Sequence, residues 1–217
     1  MLDKTRNGPW ALILGGSEGV GEALATQFAA AGIDLLLVAR KPDILAETAR
    51  KLRESSGVEV RELVLDVAAD DAMDRIIAAT EGLEIGSVVH NVGGGYGAGL
   101  YLDHGWKSII DTVRIGTELP CRLVYHFAPA MVARGAGAFI MTGSMAGNAG
   151  SYYYAGYSAA KSFMQTFGEA MWAEHFRDDP MRQWSVGNET YAAALDDPED
   201  ALGRAYGIPT PIALDLE

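Results

Sequence analysis

The chain has 217 residues, which is an ordinary length for one domain. With 49% hydrophobic and 21% charged residues, its composition is typical of a globular protein, and no apolar run is long enough to span a bilayer. A net charge of -12 opposes non-specific binding to nucleic acid. We therefore expect small-molecule partners, with no nucleic acid and no membrane.

The N-terminal residues, the cysteine and the histidines give no sign of secretion, a disulfide or a metal site. The opening sequence MLDKTRNGPW lacks the basic start and apolar middle of a secretory signal, which favours a cytoplasmic protein. The lone Cys121 cannot form an internal disulfide, and we interpret it as a packing residue. The four histidines show no metal-ligand spacing, so no metal site is predicted.

Apolar runs of strand length alternate with segments of helical period along the first two thirds of the chain. The predicted strands are WALIL at 10–14, IDLLLVA at 33–39, VEVRELVL at 58–65, SVVH at 87–90 and AFIMT at 138–142. The predicted helices between them include GEALATQFAAAG at 21–32 and PDILAETARKLRESSG at 42–57. This alternation predicts an α/β fold, a doubly wound parallel sheet between two layers of helices.

Two later helical regions are expected. The first runs from about residue 106 to 134, and Pro120 and Pro129 are expected to kink or stop it. The second runs from Tyr157 to Phe176 with one apolar stripe. We expect one domain, with a core fold over 1–176 and a divergent C-terminal segment over 177–217 that could serve as a substrate lid. In that segment only PIALDL resembles a strand.

A glycine-rich stretch, GGSEGVG at 15–21, follows the first predicted strand and opens the first helix. Gly15 suits a sharp turn, Gly19 lets the backbone approach a pyrophosphate, and Gly21 lets helix and strand pack closely. The amides of the helix start, including those near Ser17 and Val20, can face the phosphates. A glycine turn without a ligand is the alternative, but the order strand, glycines, helix, strand predicts a Rossmann-type dinucleotide site.

The end of the second strand bears on which dinucleotide binds. An acidic residue there would hold the ribose of NAD, but this chain has Arg40 and Lys41. Both can pair with a 2′-phosphate, which favours NADP(H); the alternative is that they form a solvated turn. Glu18 argues against a phosphate there unless its carboxylate turns outward.

A candidate catalytic set follows in TGSMAG and YSAAK, with Ser144, Tyr157 and Lys161. Tyr157 and Lys161 are four residues apart, one turn along the same helix face. An ammonium there can stabilise a phenolate and make the tyrosine a better proton donor and acceptor. A tyrosine and lysine at this spacing are often a surface pair, but a serine at a strand end thirteen residues upstream favours a catalytic role.

These motifs together resemble the short-chain dehydrogenase/reductase family over about residues 8–176. LGGSEGVG is similar to its glycine motif, and LDV, with Asp66 and Val67, to its adenine-binding pair. HNVGG, with Asn91 and Gly93, is similar to its NNAG strand end, with His90 in place of the first asparagine. FIMTGS and YSAAK match its active-site strand and helix.

The resemblance implies hydride transfer between NADP(H) and a carbonyl or secondary alcohol, as in carbonyl reductases. Tyr157 would protonate the carbonyl oxygen, Ser144 would hold that oxygen, and Lys161 would assist Tyr157 and bind the nicotinamide ribose. It also implies a homodimer or homotetramer, in which the two long helices, with Trp172 and Phe176, form the subunit contact.

The chain also departs from the family in the long helix before the active-site strand. The family has an asparagine in the long helix that holds a water beside the lysine, and our alignment places Arg114 there. A second buried cation would lower the pKa of Lys161, so Arg114 either points to solvent or a carboxylate, or a relay runs through Thr112 or Thr117.

The departures leave other functions open. An NADP(H)-binding regulator or partner subunit with little turnover is one alternative, and an epimerase or dehydratase using the same tyrosine is another. The run GGGYGAG at 93–99 could be a loop over the nicotinamide or a flexible turn. The tyrosines at 152–154 either line a pocket for an apolar or aromatic substrate or simply pack.

Overall fold

The fold is built on a six-stranded sheet, as seen in a computed structural model that describes residues 2–93, 97–175 and 183–187. All neighbouring strands are parallel, in the order β3-β2-β1-β4-β5-β6. The strands are β1 (Trp10–Leu14), β2 (Asp34–Ala39), β3 (Val60–Val64), β4 (Ile85–His90), β5 (Ala138–Thr142) and β6 (Gln183–Gly187). The order reverses between β1 and β4, and this doubly wound topology confirms the predicted class.

Helices cover both faces of the sheet. They are α1 (Lys4–Asn7), α2 (Gly19–Ala30), α3 (Pro42–Ser56), α4 (Ala72–Thr80), α5 (Trp106–Val113), α6 (Leu119–Arg134) and α7 (Ala155–His175). Along β1, Ala11 and Ile13 pack with Phe28 of α2, whereas Leu12 and Leu14 belong to the core on the opposite face. The central strand is apolar at every position because helices bury both of its faces.

The carboxyl ends of the central strands meet at one edge of the sheet. Leu14, the last residue of β1, lies in register with Val38 of β2 and His90 of β4. His90 in turn lies in register with Met141 of β5. The segments that follow β1, β4 and β5 therefore leave the sheet at the same edge, where ligands of such sheets bind.

The long helical region has an irregular turn between α5 and α6. Arg114–Glu118 forms a π-helical turn, and Pro120 follows in the first turn of α6. A proline there lacks the amide hydrogen and would crowd the carbonyl of the residue four before it, so the preceding turn widens. The interruption predicted at Pro120 is confirmed, whereas α6 continues through Pro129 to Arg134.

The interpretation that only PIALDL resembles a strand after the active-site helix is wrong. Gln183–Gly187 adds to the sheet as β6, with Phe139 of β5 opposite Trp184. The strand is short and lies in an acidic stretch that contains proline, so its sequence carries little local signal. The remainder of the predicted C-terminal segment, including PIALDL, lies outside the described residues, as does Phe176.

Within residues 2–93, 97–175 and 183–187, no helix combines the length and the apolar character needed to cross a bilayer.

Candidate active site

The glycine loop forms a tight turn between β1 and α2. A Cβ on Gly21 would overlap the carbonyl oxygen of Gly15, so only glycine allows this approach. Gly19 begins α2 with φ +58° and has open space beside it. Open backbone at the first turn of a helix fits a dinucleotide pyrophosphate, because the free amides and the helix dipole favour an anion.

Neighbouring side chains hold this loop in place. Ser17 is buried, and its carbonyl accepts a 2.9 Å hydrogen bond from the hydroxyl of Thr48 on α3. Val20 is half-buried and packs against the core beneath α2. Gly15 donates its amide to the carbonyl of Val38, 2.8 Å away. The loop is therefore tied to both β2 and α3.

The two basic residues after β2, Arg40 and Lys41, make different contacts. Lys41 Nζ lies 3.0 Å from a carboxylate oxygen of Glu18, and both side chains are exposed. Arg40 is exposed and forms no ion pair within the described part of the chain. Glu18 is thus turned toward a cation, and Arg40 keeps a free guanidinium at the position predicted to meet a 2′-phosphate.

The predicted adenine-binding pair lies just after β3. Asp66 is exposed, and one of its carboxylate oxygens accepts a hydrogen bond from the Ala68 amide at 3.1 Å. Val67 is buried and lines a cleft of about 230 Å³ between this loop and the helices that follow. An acceptor and an apolar side chain at one sheet edge fit an adenine ring and its amino group.

A polar network connects three strands to α7 beneath the predicted nicotinamide position. The Thr142 hydroxyl donates to Asn91 Oδ1 at 2.8 Å, and Asn91 Nδ2 donates to the Gly15 carbonyl at 3.4 Å. Lys161 Nζ donates to the Thr142 carbonyl at 2.5 Å. A Cβ on Gly93 would lie 3.1 Å from that ammonium, so a bare backbone position leaves room for it. Thr142 was not predicted as a site residue, although it is the last residue of β5 and lies within the matched motif FIMTGS.

Tyr157 and Lys161 lie one turn apart on α7, as predicted. Lys161 Nζ is 5.7 Å from the centre of the Tyr157 ring. Lys161 is only 5% exposed, and this burial lowers its pKa to about 8. Tyr157 is half-buried. The pair can therefore bring a cation and a phenol hydroxyl to one small cavity.

Ser144 begins a short 3₁₀ turn, Met145–Gly147, directly after β5. Its hydroxyl oxygen accepts a 3.2 Å hydrogen bond from the Ala146 amide. The turn packs against α7, since a Cβ on Gly147 would lie 2.8 Å from the carbonyl carbon of Lys161. All three predicted catalytic residues therefore belong to two packed elements at the carboxyl edge of the sheet.

Among the described residues, a larger and a smaller cavity lie near this edge. The larger cleft is lined by Val67, Asp70, Arg114 and Arg122 and contains none of the predicted catalytic side chains. The smaller, of about 10 Å³, is lined by Gly93, Thr112, Gly116, Tyr157 and Lys161. We place the chemistry at the smaller one because it contains the proton-bearing groups, and its volume is at the lower limit for holding one water molecule.

Arg114 forms an ion pair with Asp70. Its Nη1 lies 2.5 Å from Asp70 Oδ1, in a pair whose side chains are 38% and 85% exposed. Of the two alternatives from the sequence, pairing with a carboxylate is the one observed. The Thr112 and Thr117 hydroxyls donate to carbonyls one turn back in their helix, those of Ser108 and Val113.

Exposed apolar side chains occur close in the chain to the residues of the site. They come from three segments next to site residues: Leu100, Tyr101, Leu102 and Trp106; Met145; and Tyr152, Tyr153 and Tyr154. The Gly99 amide donates to the Tyr153 carbonyl at 3.1 Å, which joins the first and third segments. The Tyr154 and Tyr157 ring centres are 6.2 Å apart. Residues 94–96 of the predicted loop lie outside the described residues.

A parallel sheet with a glycine turn at its switch point places the chain in the class of Rossmann-type dinucleotide-binding folds, and a tyrosine and a buried lysine lie on the helix after β5. The short chain dehydrogenase family profile matches residues 9–179. The chain belongs to the short-chain dehydrogenase family, as its motifs predicted.

Individual relatives agree with this assignment. A 7beta-hydroxysteroid dehydrogenase of Clostridium sardiniense is 32% identical over 168 residues, which cover 77% of this chain and 64% of the relative. A very-long-chain 3-oxoacyl-CoA reductase of Rattus norvegicus is 32% identical over 176 residues, covering 78% and 55%. The chain therefore spans less than two thirds of the length of these relatives.

A solved structure is also similar. A short-chain dehydrogenase from Sphingobium yanoikuyae, in complex with NADPH, has a TM-score of 0.74 and 30% sequence identity. The match covers 83% of this chain and 71% of that one.

Proposed function

We propose that this protein is an NADP(H)-dependent oxidoreductase that transfers hydride between the nicotinamide and a carbonyl or secondary alcohol of an apolar or aromatic substrate. The observation that carries the proposal is the buried Lys161 ammonium on the same face of α7 as Tyr157. A buried cation beside a phenol hydroxyl stabilises the phenolate that remains after proton transfer.

The roles follow from these positions. When bound, the cofactor supplies or accepts the hydride. Tyr157 gives its hydroxyl proton to the carbonyl oxygen in reduction and takes it back in oxidation. The Ser144 hydroxyl, free to donate while its oxygen accepts from Ala146, holds the same oxygen where charge develops.

NADP(H) is the cofactor that we favour. Arg40 presents an exposed guanidinium after β2, and guanidinium groups bind phosphates through paired hydrogen bonds. Lys41 already compensates the Glu18 carboxylate, which reduces the repulsion that a phosphate would meet there. The similar Sphingobium yanoikuyae enzyme was solved with NADPH.

The proposed substrate class is supported by the exposed apolar side chains in the segments next to the site residues. Leu102 is 91% exposed and Tyr152 is 76% exposed, a costly arrangement unless an apolar ligand covers them. The names of the two relatives indicate steroid and long-chain acyl substrates. Both classes combine a large apolar body with a carbonyl or secondary alcohol, and we propose the same combination here.

The test follows NADPH oxidation by absorbance with a steroid ketone, a long-chain 3-oxoacyl thioester and an aromatic ketone. Tyr157→Phe should lower kcat by roughly 10²–10⁴-fold, the range of a lost general acid, and should still bind NADPH. Tyr154→Phe is the matched control, because it removes a hydroxyl from the neighbouring, exposed tyrosine. The proposal fails if Tyr157→Phe turns over like the parent.

The regulator alternative predicts a different result with the same proteins. NADPH would bind tightly, no carbonyl in the panel would be reduced, and a stable protein partner would be required. Its support in the sequence is Arg114 at the asparagine position and the divergent C-terminal segment, and the first of these is weakened because the Arg114 guanidinium pairs with Asp70. We therefore favour the enzyme.

Self-association is part of the proposal. Tyr125 of α6 is 87% exposed and Trp172 of α7 is 43% exposed, on the two helices expected to form the subunit contact. Light scattering of the parent and of Tyr125→Glu tests this, because a charge placed in that contact should reduce the measured mass.

A further inference from the structure

His90 is a buried polar residue at the end of β4, and it replaces the first asparagine of the family motif. It is 1% exposed, and its Nε2 lies 2.9 Å from the carbonyl oxygen of Ile115 in the π turn. A carbonyl oxygen only accepts hydrogen bonds, so Nε2 carries the hydrogen and donates it. The bond crosses from the sheet to the long helical region.

The Ile115 carbonyl needs this donor because of its position in the helix. The Leu119 amide, which would be its α-helical partner, donates instead to the carbonyl of Arg114. Its partner one residue further on is Pro120, which has no amide hydrogen. A partly buried carbonyl without a partner is unfavourable, and His90 supplies the missing hydrogen bond.

The same turn touches the active-site helix. A Cβ on Gly116 would overlap the Cβ of Ala160, so the turn lies directly against α7 at the residue before Lys161. Ile115, Gly116, Ala160 and Lys161 all line the small cavity. The location of the π turn therefore sets how closely α7 approaches the end of β4.

We propose that His90 is a positioning residue: through the Ile115 carbonyl it holds the π turn against α7 and so fixes Lys161 relative to Thr142 and Tyr157. The consequences for turnover rest on the proposed function. Two of the departures from the family motifs, His90 and Arg114, lie on opposite sides of this one turn. Arg114 contacts Asp70 on the outer side, and His90 holds the inner side.

The imidazole does this without adding charge to the site. Burial, and then the nearby charge of Lys161, lower the pKa of His90 to about 4. It is therefore neutral at physiological pH, and Lys161 remains the cation of the small cavity within the described residues.

The test compares three variants in the full chain. His90→Leu removes the donor. His90→Gln keeps an amide N–H at similar reach. Ser87→Ala is the matched control, since Ser87 is a buried residue of the same strand whose hydroxyl donates to the Asn7 carbonyl at 3.0 Å, far from the site.

The main readout separates positioning from stability. We expect His90→Leu to lower kcat by roughly tenfold to a hundredfold, as a displaced catalytic group does, with little change in KM or in NADPH binding. His90→Gln should recover most of the parent kcat, and Ser87→Ala should keep it. A parent-like kcat in His90→Leu, a loss confined to KM, or a kcat in His90→Gln as low as in His90→Leu would each overturn the proposal.

A second readout does not depend on turnover. Amide hydrogen exchange across residues 114–118 should accelerate in His90→Leu and remain parent-like in Ser87→Ala. If the parent reduces no carbonyl, the proposed function fails, and exchange alone decides this inference: unchanged exchange in His90→Leu overturns it. If His90→Leu does not fold, His90→Asn replaces it, because its shorter side chain does not reach the Ile115 carbonyl.

Discussion

The Lys161 ammonium and the Thr142 carbonyl oxygen lie 2.5 Å apart, which joins the active-site helix to the end of β5. The bond orients a lysine that is almost fully buried. It also explains why Thr142 belongs to the site, since its hydroxyl bonds Asn91 while its carbonyl bonds Lys161. Thr142 thus connects Asn91, which directly follows β4, to Lys161, the cation of the proposed reaction.

The pH dependence of stability should reflect this burial. Burial lowers the pKa of Lys161 from 10.5 to about 8 in the folded protein. Between these values the unfolded chain binds more protons than the folded one, so this group makes the free energy of unfolding rise with pH across that window. Denaturant unfolding at several pH values measures the rise, and Lys161→Met should show less of it. An equal slope in both proteins would contradict the assignment.

The pH dependence of turnover should have the opposite sign. If the charged form of Lys161 assists Tyr157, kcat/KM for NADPH should fall as the pH rises through about 8, because the free enzyme loses that proton there. The measurement is a pH profile of NADPH oxidation at limiting cofactor. A profile that stays flat well above this pH would mean that the ammonium is not required.

The choice of cofactor should depend on Arg40. Arg40→Ala should weaken NADPH binding by roughly tenfold to a hundredfold, as expected for one lost charge-assisted contact, and leave NADH binding unchanged. Binding is followed by the fluorescence of the reduced nicotinamide. Equal weakening of both cofactors would show that Arg40 acts on the loop and not on the 2′-phosphate.

Glu18 provides a second test of the same site. Its carboxylate holds Lys41 at 3.0 Å, on an exposed surface. Glu18→Gln should release Lys41 and remove a negative charge, so NADPH should bind more tightly while NADH is unaffected. Weaker NADPH binding in this variant would mean that the ion pair itself shapes the site.

The sequence predicted the strands and helices that carry a strong local pattern. β1 and β5 have the predicted bounds, because continuous apolar residues between turn residues are a local signal. β6 was missed because QWSVG is short and its place in the sheet depends on pairing with β5, which local sequence does not encode.

In the candidate site, too, the sequence predicts the positions of residues in local motifs but not the contacts between distant segments. Gly21 occurs in a motif whose spacing predicts a tight turn between strand and helix. Tyr157 and Lys161 occur in a motif whose spacing predicts that both lie on one face of a helix. The bond between His90 and the Ile115 carbonyl connects residues 25 positions apart and depends on the π turn before Pro120. The Arg114 contact with Asp70 likewise depends on how α5 and the loop after β3 meet.

Close packing in the glycine loop gives a further prediction. Gly21→Ala should reduce NADPH affinity and destabilise the fold by about 1–3 kcal/mol, since the added methyl group overlaps the Gly15 carbonyl oxygen. Gly105→Ala is the control, because Gly105 has an ordinary φ of -68° and nothing within 4 Å of an added Cβ. Thermal unfolding and NADPH titration measure both effects. Equal behaviour of the two variants would contradict the tight turn.

Arg114 is expected to matter little for chemistry, despite its alignment with the family asparagine. Its ion pair with Asp70 is exposed, and such pairs contribute less than ~1 kcal/mol to stability. Arg114→Ala should therefore keep kcat and the free energy of unfolding near those of the parent. Arg122→Ala is the matched control, since Arg122 lines the same cleft and contacts Glu118 at 3.5 Å. A large loss of kcat in Arg114→Ala but not in Arg122→Ala would mean that the Arg114 guanidinium contributes to catalysis. That result would contradict the small role expected for it.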